Sequence, residues 1–145
     1  MKLPSDIFIA GLAPGKVYYF ESEQLSTNIP HYFICLTINA DELVILACCT
    51  SQFEKRKRFI ESRNLPHSTL VWISPNDENG FSRDTFVDCN SYFDYSKEEL
   101  KRLYESDILS FTGEVSEDVL VQIYIGMKDS PLIEEAIKDR LPEIG

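Results

Sequence analysis

At 145 residues the chain is long enough to bury a core without disulfide or metal staples. Hydrophobic residues at 43% and aromatics at 12% exclude disorder of the whole chain, and no apolar run approaches the roughly 18 residues that a membrane span needs. A net charge of −10, from 24 acidic against 14 basic residues, repels phosphate at long range and argues against a general nucleic-acid binder.

Nothing at the start has the make-up of a secretory leader. Ile7 to Leu12 is a short apolar patch, preceded by Pro4 and Asp6 and broken by Gly11 and Pro14, so a cytoplasmic protein is expected. Pro14-Gly15 is a turn that launches a strand over Val17 to Phe20, and Glu21 to Asn28 is polar loop. His31 to Ile38 and Leu43 to Cys49 read as two strands around the turn Asn39-Ala40-Asp41, which is a hairpin. Phe53 to Ser62 is a short amphipathic helix, with Phe53, Phe59 and Ile60 among charges. Thr69 to Ile73 and Thr85 to Cys89 give two more strands, separated by the loop Pro75 to Arg83.

Ser96-Lys97-Glu98-Glu99 is a capping box that opens a helix through Tyr104. Ile108 to Phe111 returns as a short strand, and Ser116 caps a helix with Val119, Leu120 and Ile123 inward. Ser130-Pro131 predicts the start of a terminal helix through Arg140. No repeat, low-complexity stretch or linker interrupts the chain, so residues 1–145 are expected to form one domain. Its class is α+β: a small β-barrel of five to six strands with inserted and C-terminal helices.

The four cysteines, Cys35, Cys48, Cys49 and Cys89, form no C-x-x-C pair and have no histidine at zinc-ligand spacing. They read as reduced core thiols, and no metal or cofactor is expected. Pro75 to Gly80 has acidic side chains without the spacing of a calcium loop. No P-loop, G-x-G-x-x-G, H-E-x-x-H or G-x-S-x-G is present. Charge is unevenly placed: Lys55, Arg56, Lys57, Arg58 and Arg63 put five of the 14 bases within nine residues, whereas the last 50 residues are acidic.

The order of segments resembles the MazF/PemK-type toxins. Gly15-Lys16-Val17-Tyr18-Tyr19-Phe20 is similar to that family's opening strand, and Pro30-His31-Tyr32-Phe33-Ile34-Cys35-Leu36 to its second. Ala47-Cys48-Cys49-Thr50-Ser51-Gln52 is similar to the threonine-bearing end of the third, and Phe86-Val87-Asp88-Cys89-Asn90 to a later strand with an aspartate. Thr112 to Leu120 resembles the turn into the family's last helix, so the likeness spans about residues 15 to 127.

The resemblance implies an SH3-like barrel and cleavage of single-stranded RNA without a metal, by attack of a ribose 2′-OH on the neighbouring phosphate. It also implies a homodimer neutralised by a cognate antitoxin. The implied catalytic residues are His31, Thr50 and Asp88. His31 stands where the family has an arginine; it can shuttle a proton near neutral pH but lacks arginine's fixed fork of charge. Asp88 lacks the family's arginine two residues earlier, that position being Phe86, and Arg83 is out of register. RNA would be gripped by Lys55, Arg56, Lys57, Arg58 and Gln52, with Tyr18, Tyr19, Tyr32 and Phe53 as stacking faces. Bland readings stand beside these: a strand-end threonine bonded to backbone, a surface histidine, a solvated helix face and core rings. They lead to the alternative of a catalytically inactive barrel that binds a protein partner.

Overall fold

The computed structural model describes residues 2–143. Helix α1 (Ser5–Ala10) precedes strands β1 (Lys16–Phe20), β2 (His31–Ile38) and β3 (Leu43–Thr50). Helix α2 (Phe53–Ser62) follows, then β4 (Leu70–Ile73), β5 (Thr85–Asp88) and β6 (Phe93–Ser96). Helix α3 (Lys97–Glu105), β7 (Ser110–Glu114), α4 (Glu117–Asp129) and α5 (Glu135–Lys138) complete the order.

All pairings are antiparallel, and the sheet runs β4-β5-β3-β2-β1-β7. Strand β3 is its hub. The Leu43–Leu46 half of β3 pairs with β6, and Cys49 and Thr50 at its end pair with β5, while β2 lies along its other edge. Because side chains alternate along a strand, β1 to β3 bury both faces. Val17, Ile34, Ala47 and Cys49 face one core, shared with Ile123 and Met127 of α4 and with Ile137. Tyr18, Phe20, Phe33 and Leu46 face a second core, shared with Phe8 of α1 and with Leu100 and Tyr104 of α3.

Local chemistry accounts for the helix starts. The Ser96 hydroxyl accepts from the Glu99 N–H at 3.0 Å while the Ser96 N–H donates to the Glu99 carboxylate at 2.9 Å, both arms of the expected capping box. Ser116 accepts from the Val119 N–H at 3.3 Å. Ser130 behaves differently from the expectation. It ends α4, and its hydroxyl donates to Asn90 Oδ1 at 2.7 Å, so the terminal helix shrinks to the single turn of α5. Two elements were not anticipated: α1, anchored where Phe8 stacks on Tyr104 at 3.9 Å, and β6, which makes the strands seven rather than five or six.

The sheet is not closed into a barrel by strand pairing. Strands β4 and β7 are its edges. A loop bridges part of the gap: the Glu114 N–H of β7 donates to the carbonyl of Glu78, in the β4–β5 connection, at 2.8 Å. Among the described residues no helix is long and apolar enough to cross a membrane.

Candidate functional site

The ends of β1 and β3 meet the start of β2 at one edge of the molecule. There Phe20 pairs with His31, and Phe33 pairs with Cys48. Continuing the second register outward by two residues sets His31 opposite Thr50. An open pocket of about 440 Å³ lies at this edge, and His31, Thr50 and Gln52 all line it. Alternation turns Tyr19, Tyr32 and Cys49 toward one face and His31 and Thr50 toward the other, so the pocket takes its lining from both sides of the strand ends.

His31 Nδ1 lies 2.8 Å from the Ile29 carbonyl. A carbonyl only accepts, so Nδ1 carries the proton and donates, and in the neutral ring Nε2 holds the lone pair. The Thr50 hydroxyl oxygen accepts from the Gln52 N–H at 3.1 Å, which leaves its own hydrogen to donate elsewhere. The site therefore contains one potential proton acceptor and one neutral donor, each positioned by local backbone.

Two half-buried rings stand beside them. Tyr19 and Tyr32 are tilted at 46° with centroids 4.6 Å apart, and Tyr32 rests edge-on against buried Phe81 at 5.2 Å. Cys49 also reaches the pocket, but burial raises its thiol well above the ordinary range, so it offers no thiolate nucleophile.

Helix α2 leaves the same strand end directly after Gln52. Lys55, Lys57 and Arg58 are exposed on it, with Lys57 over the Phe53 ring at 5.8 Å and Arg58 Nε donating to the Glu54 carbonyl at 3.4 Å. Phe53 itself packs on Phe86 at 4.8 Å.

Three expected site residues are placed elsewhere. Tyr18 is 3% exposed, and its ring sits between Phe8 and Phe111 in the second core, so it presents no face to a ligand. Burial also pushes its hydroxyl far above the ordinary range. Asp88 lies under α2 with its side chain 10% exposed; one oxygen accepts from the Asn90 N–H and side-chain amide, and the other faces Arg56 at 3.5 Å. The two face each other beneath α2, and neither lines the pocket that holds His31 and Thr50.

Sequence reasoning set aside one pocket residue. Arg83, from the loop between β4 and β5, lines the same pocket as His31 and Thr50. Its clue was position: a cation preceded by an Asn-Gly turn and followed by the strand that pairs with Thr50. Among the described residues no three His, Cys, Asp or Glu side chains group as a metal site would. No protein-family model matches the chain, and no curated protein matches it significantly.

Proposed function

We propose that this chain is a MazF/PemK-like endoribonuclease toxin, acting in the cytoplasm on single-stranded RNA without a metal and neutralised by a cognate antitoxin. The observation that carries the reading is the joint presence of His31 and Thr50 in one open pocket with paired tyrosine rings beside it. The reading takes the sheet as an SH3-like barrel left open between β4 and β7, where the β4–β5 loop meets β7, and takes the working form as a homodimer. Four free cysteines fit a reducing compartment.

In this mechanism His31 Nε2 takes the proton of a ribose 2′-OH as that oxygen bonds to the adjacent phosphorus. The bond from phosphorus to the 5′ oxygen breaks, and water at the open mouth of the pocket protonates the leaving oxygen. The products are a 2′,3′-cyclic phosphate and a 5′-hydroxyl. The Thr50 hydroxyl donates to a non-bridging oxygen, where negative charge grows. Tyr19 and Tyr32 offer stacking surface to an unpaired base.

The test is incubation of excess protein, freed of any bound antitoxin, with unstructured RNA in EDTA. Cyclic-phosphate ends are expected, with cleavage falling by about 100-fold or more in His31→Ala, the scale of a lost general base. RNA that stays intact would overturn the assignment. A catalytically inactive, protein-binding module is the second reading, favoured by the net charge of −10 and by the engagement of Arg56 with Asp88. Harmless expression, together with identical behaviour of wild type, His31→Ala and Thr50→Ala, would select it.

A further inference from the structure

The chain has six arginines, and five have an evident partner. Arg56 faces Asp88, Arg102 faces Glu98, and Arg140 meets both carboxylate oxygens of Asp41. Arg58 donates to the Glu54 carbonyl, and Arg63 lies over the Phe59 ring at 4.7 Å. The guanidinium of Arg83 alone has no ion pair, hydrogen bond or aromatic ring among the described residues, and Arg83 is the arginine that lines the pocket. In a chain with 24 acidic residues, an exposed guanidinium left without a carboxylate at such a place is free to take an outside anion.

The loop beneath it is fixed. Asn79 is 1% exposed, and its side-chain oxygen accepts from the N–H groups of Asn76 and Phe81 at 3.1 and 3.0 Å while its amide donates to the Ser74 carbonyl at 2.9 Å. Asn76 in turn accepts from the Glu78 and Asn79 N–H groups. Gly80 sits at φ +74°, and Gly113 of β7 presses so closely on the Asn79 backbone that a Cβ has no room. Phe81 is buried against Tyr32 on one side of Arg83, and on the other the Thr85 hydroxyl donates to the Arg83 carbonyl at 3.1 Å. A flexible side chain thus springs from a rigid base, so its backbone needs little ordering when an anion binds.

We infer that Arg83 is the phosphate-binding residue of this pocket, holding the scissile diester of single-stranded RNA against His31 and Thr50. The inference rests on the ribonuclease reading and gives to a loop the task that the family resemblance gives to an arginine at the start of the second strand. Planar, two-pronged donation is what a phosphodiester's non-bridging oxygens match.

The experiment compares wild type, Arg83→Ala and Arg83→Lys in two assays. One is single-turnover cleavage of unstructured RNA in EDTA. The other is binding of a fully 2′-O-methylated, uncleavable single strand, followed by fluorescence anisotropy over a salt series. Arg83→Ala is expected to cut about 100-fold or more slower, the scale of a lost oxyanion donor. Its plot of log affinity against log salt should be shallower by about 0.7, one phosphate contact on a single strand. Arg83→Lys should restore the slope but not the rate, because the charge returns without the fork.

If wild type cleaves and Arg83→Ala matches it in rate and slope, the assignment of Arg83 is overturned while the ribonuclease reading stands. If wild type binds without cleaving and only the alanine variant loses affinity, Arg83 stands and the ribonuclease reading falls. Failure of wild type to cleave or bind at low salt overturns both. An unchanged thermal midpoint for Arg83→Ala is the check that this exposed substitution leaves the fold intact.

Discussion

The contact between Arg56 and Asp88 pairs one charge of each sign beneath α2, away from the pocket lining. Asp88 is nearly covered, so its oxygens depend on Asn90 and Arg56 for partners. Arg56→Ala should therefore leave a poorly compensated carboxylate and lower stability by about 1–3 kcal/mol, read as a lower urea midpoint. A midpoint equal to wild type would mean that the pair contributes nothing. The inward turn of Arg56 had a legible cause: Phe53, Arg56 and Ile60 are spaced i, i+3, i+7, which puts the arginine on the apolar stripe of α2. Reading the basic run as one cluster concealed that phase. Tyr18 was harder to place, because β1 buries side chains on both faces and period two does not separate a core ring from a rim ring there. His31 and Thr50 were easier, since a hairpin's antiparallel register brings the start of one strand to the end of the next.

At the scale of elements, α4 is seated on the sheet through a missing side chain. A Cβ on Gly126 would lie 2.7 Å from the Ser68 carbonyl oxygen and 2.8 Å from the Cys89 sulfur. Alanine favours a helix over glycine by up to about 1 kcal/mol, yet overpacking against backbone costs about 1–3 kcal/mol. The clash wins. Gly126→Ala should lower the thermal midpoint while far-ultraviolet circular dichroism below the transition stays native, and a raised midpoint would refute the seating. The elements that read clearly from sequence carry caps or strong periodicity: α2, α3, α4 and the β2–β3 hairpin. Helix α1 escaped because its six residues have no side-chain cap, and Phe8 finds its partner, Tyr104, nearly a hundred positions away. Strand β6 is four residues long and its partner β3 lies far upstream, Leu46 pairing with Phe93 and Leu43 with Ser96, so local pattern said little about it.

At the scale of the whole molecule, the two cores share β1, β2 and β3 as a common wall, so loosening one face disturbs the other. The cysteines report on both: Cys35 packs in the second core, and Cys49 and Cys89 pack in the first. Their burial as reduced thiols followed from strand position alone, whereas the open edge between β4 and β7 depends on a loop contact that no local pattern announces. Burial pushes the Cys35 and Cys48 thiols up from 9.0 to about 12 and raises Cys49 and Cys89 as well, because a thiolate would lose its water. The native state then holds protons that the unfolded chain releases. The resulting stability is fully present below pH 9, declines as pH rises above the unfolded value of 9.0, and is lost by about pH 12. The urea midpoint should therefore fall steadily above pH 9, and replacing Cys35 with alanine should flatten that fall even though the cavity lowers the midpoint at pH 7. At pH 8 Cys35 and Cys89, the thiols sealed in the two cores, should resist an aromatic disulfide reagent and react together at the global unfolding rate. Prompt reaction of Cys35 or Cys89 in native buffer would show that the two cores open independently of the fold as a whole, and a midpoint indifferent to pH between 9 and 11 would show that the thiols titrate alike in the folded and unfolded chain.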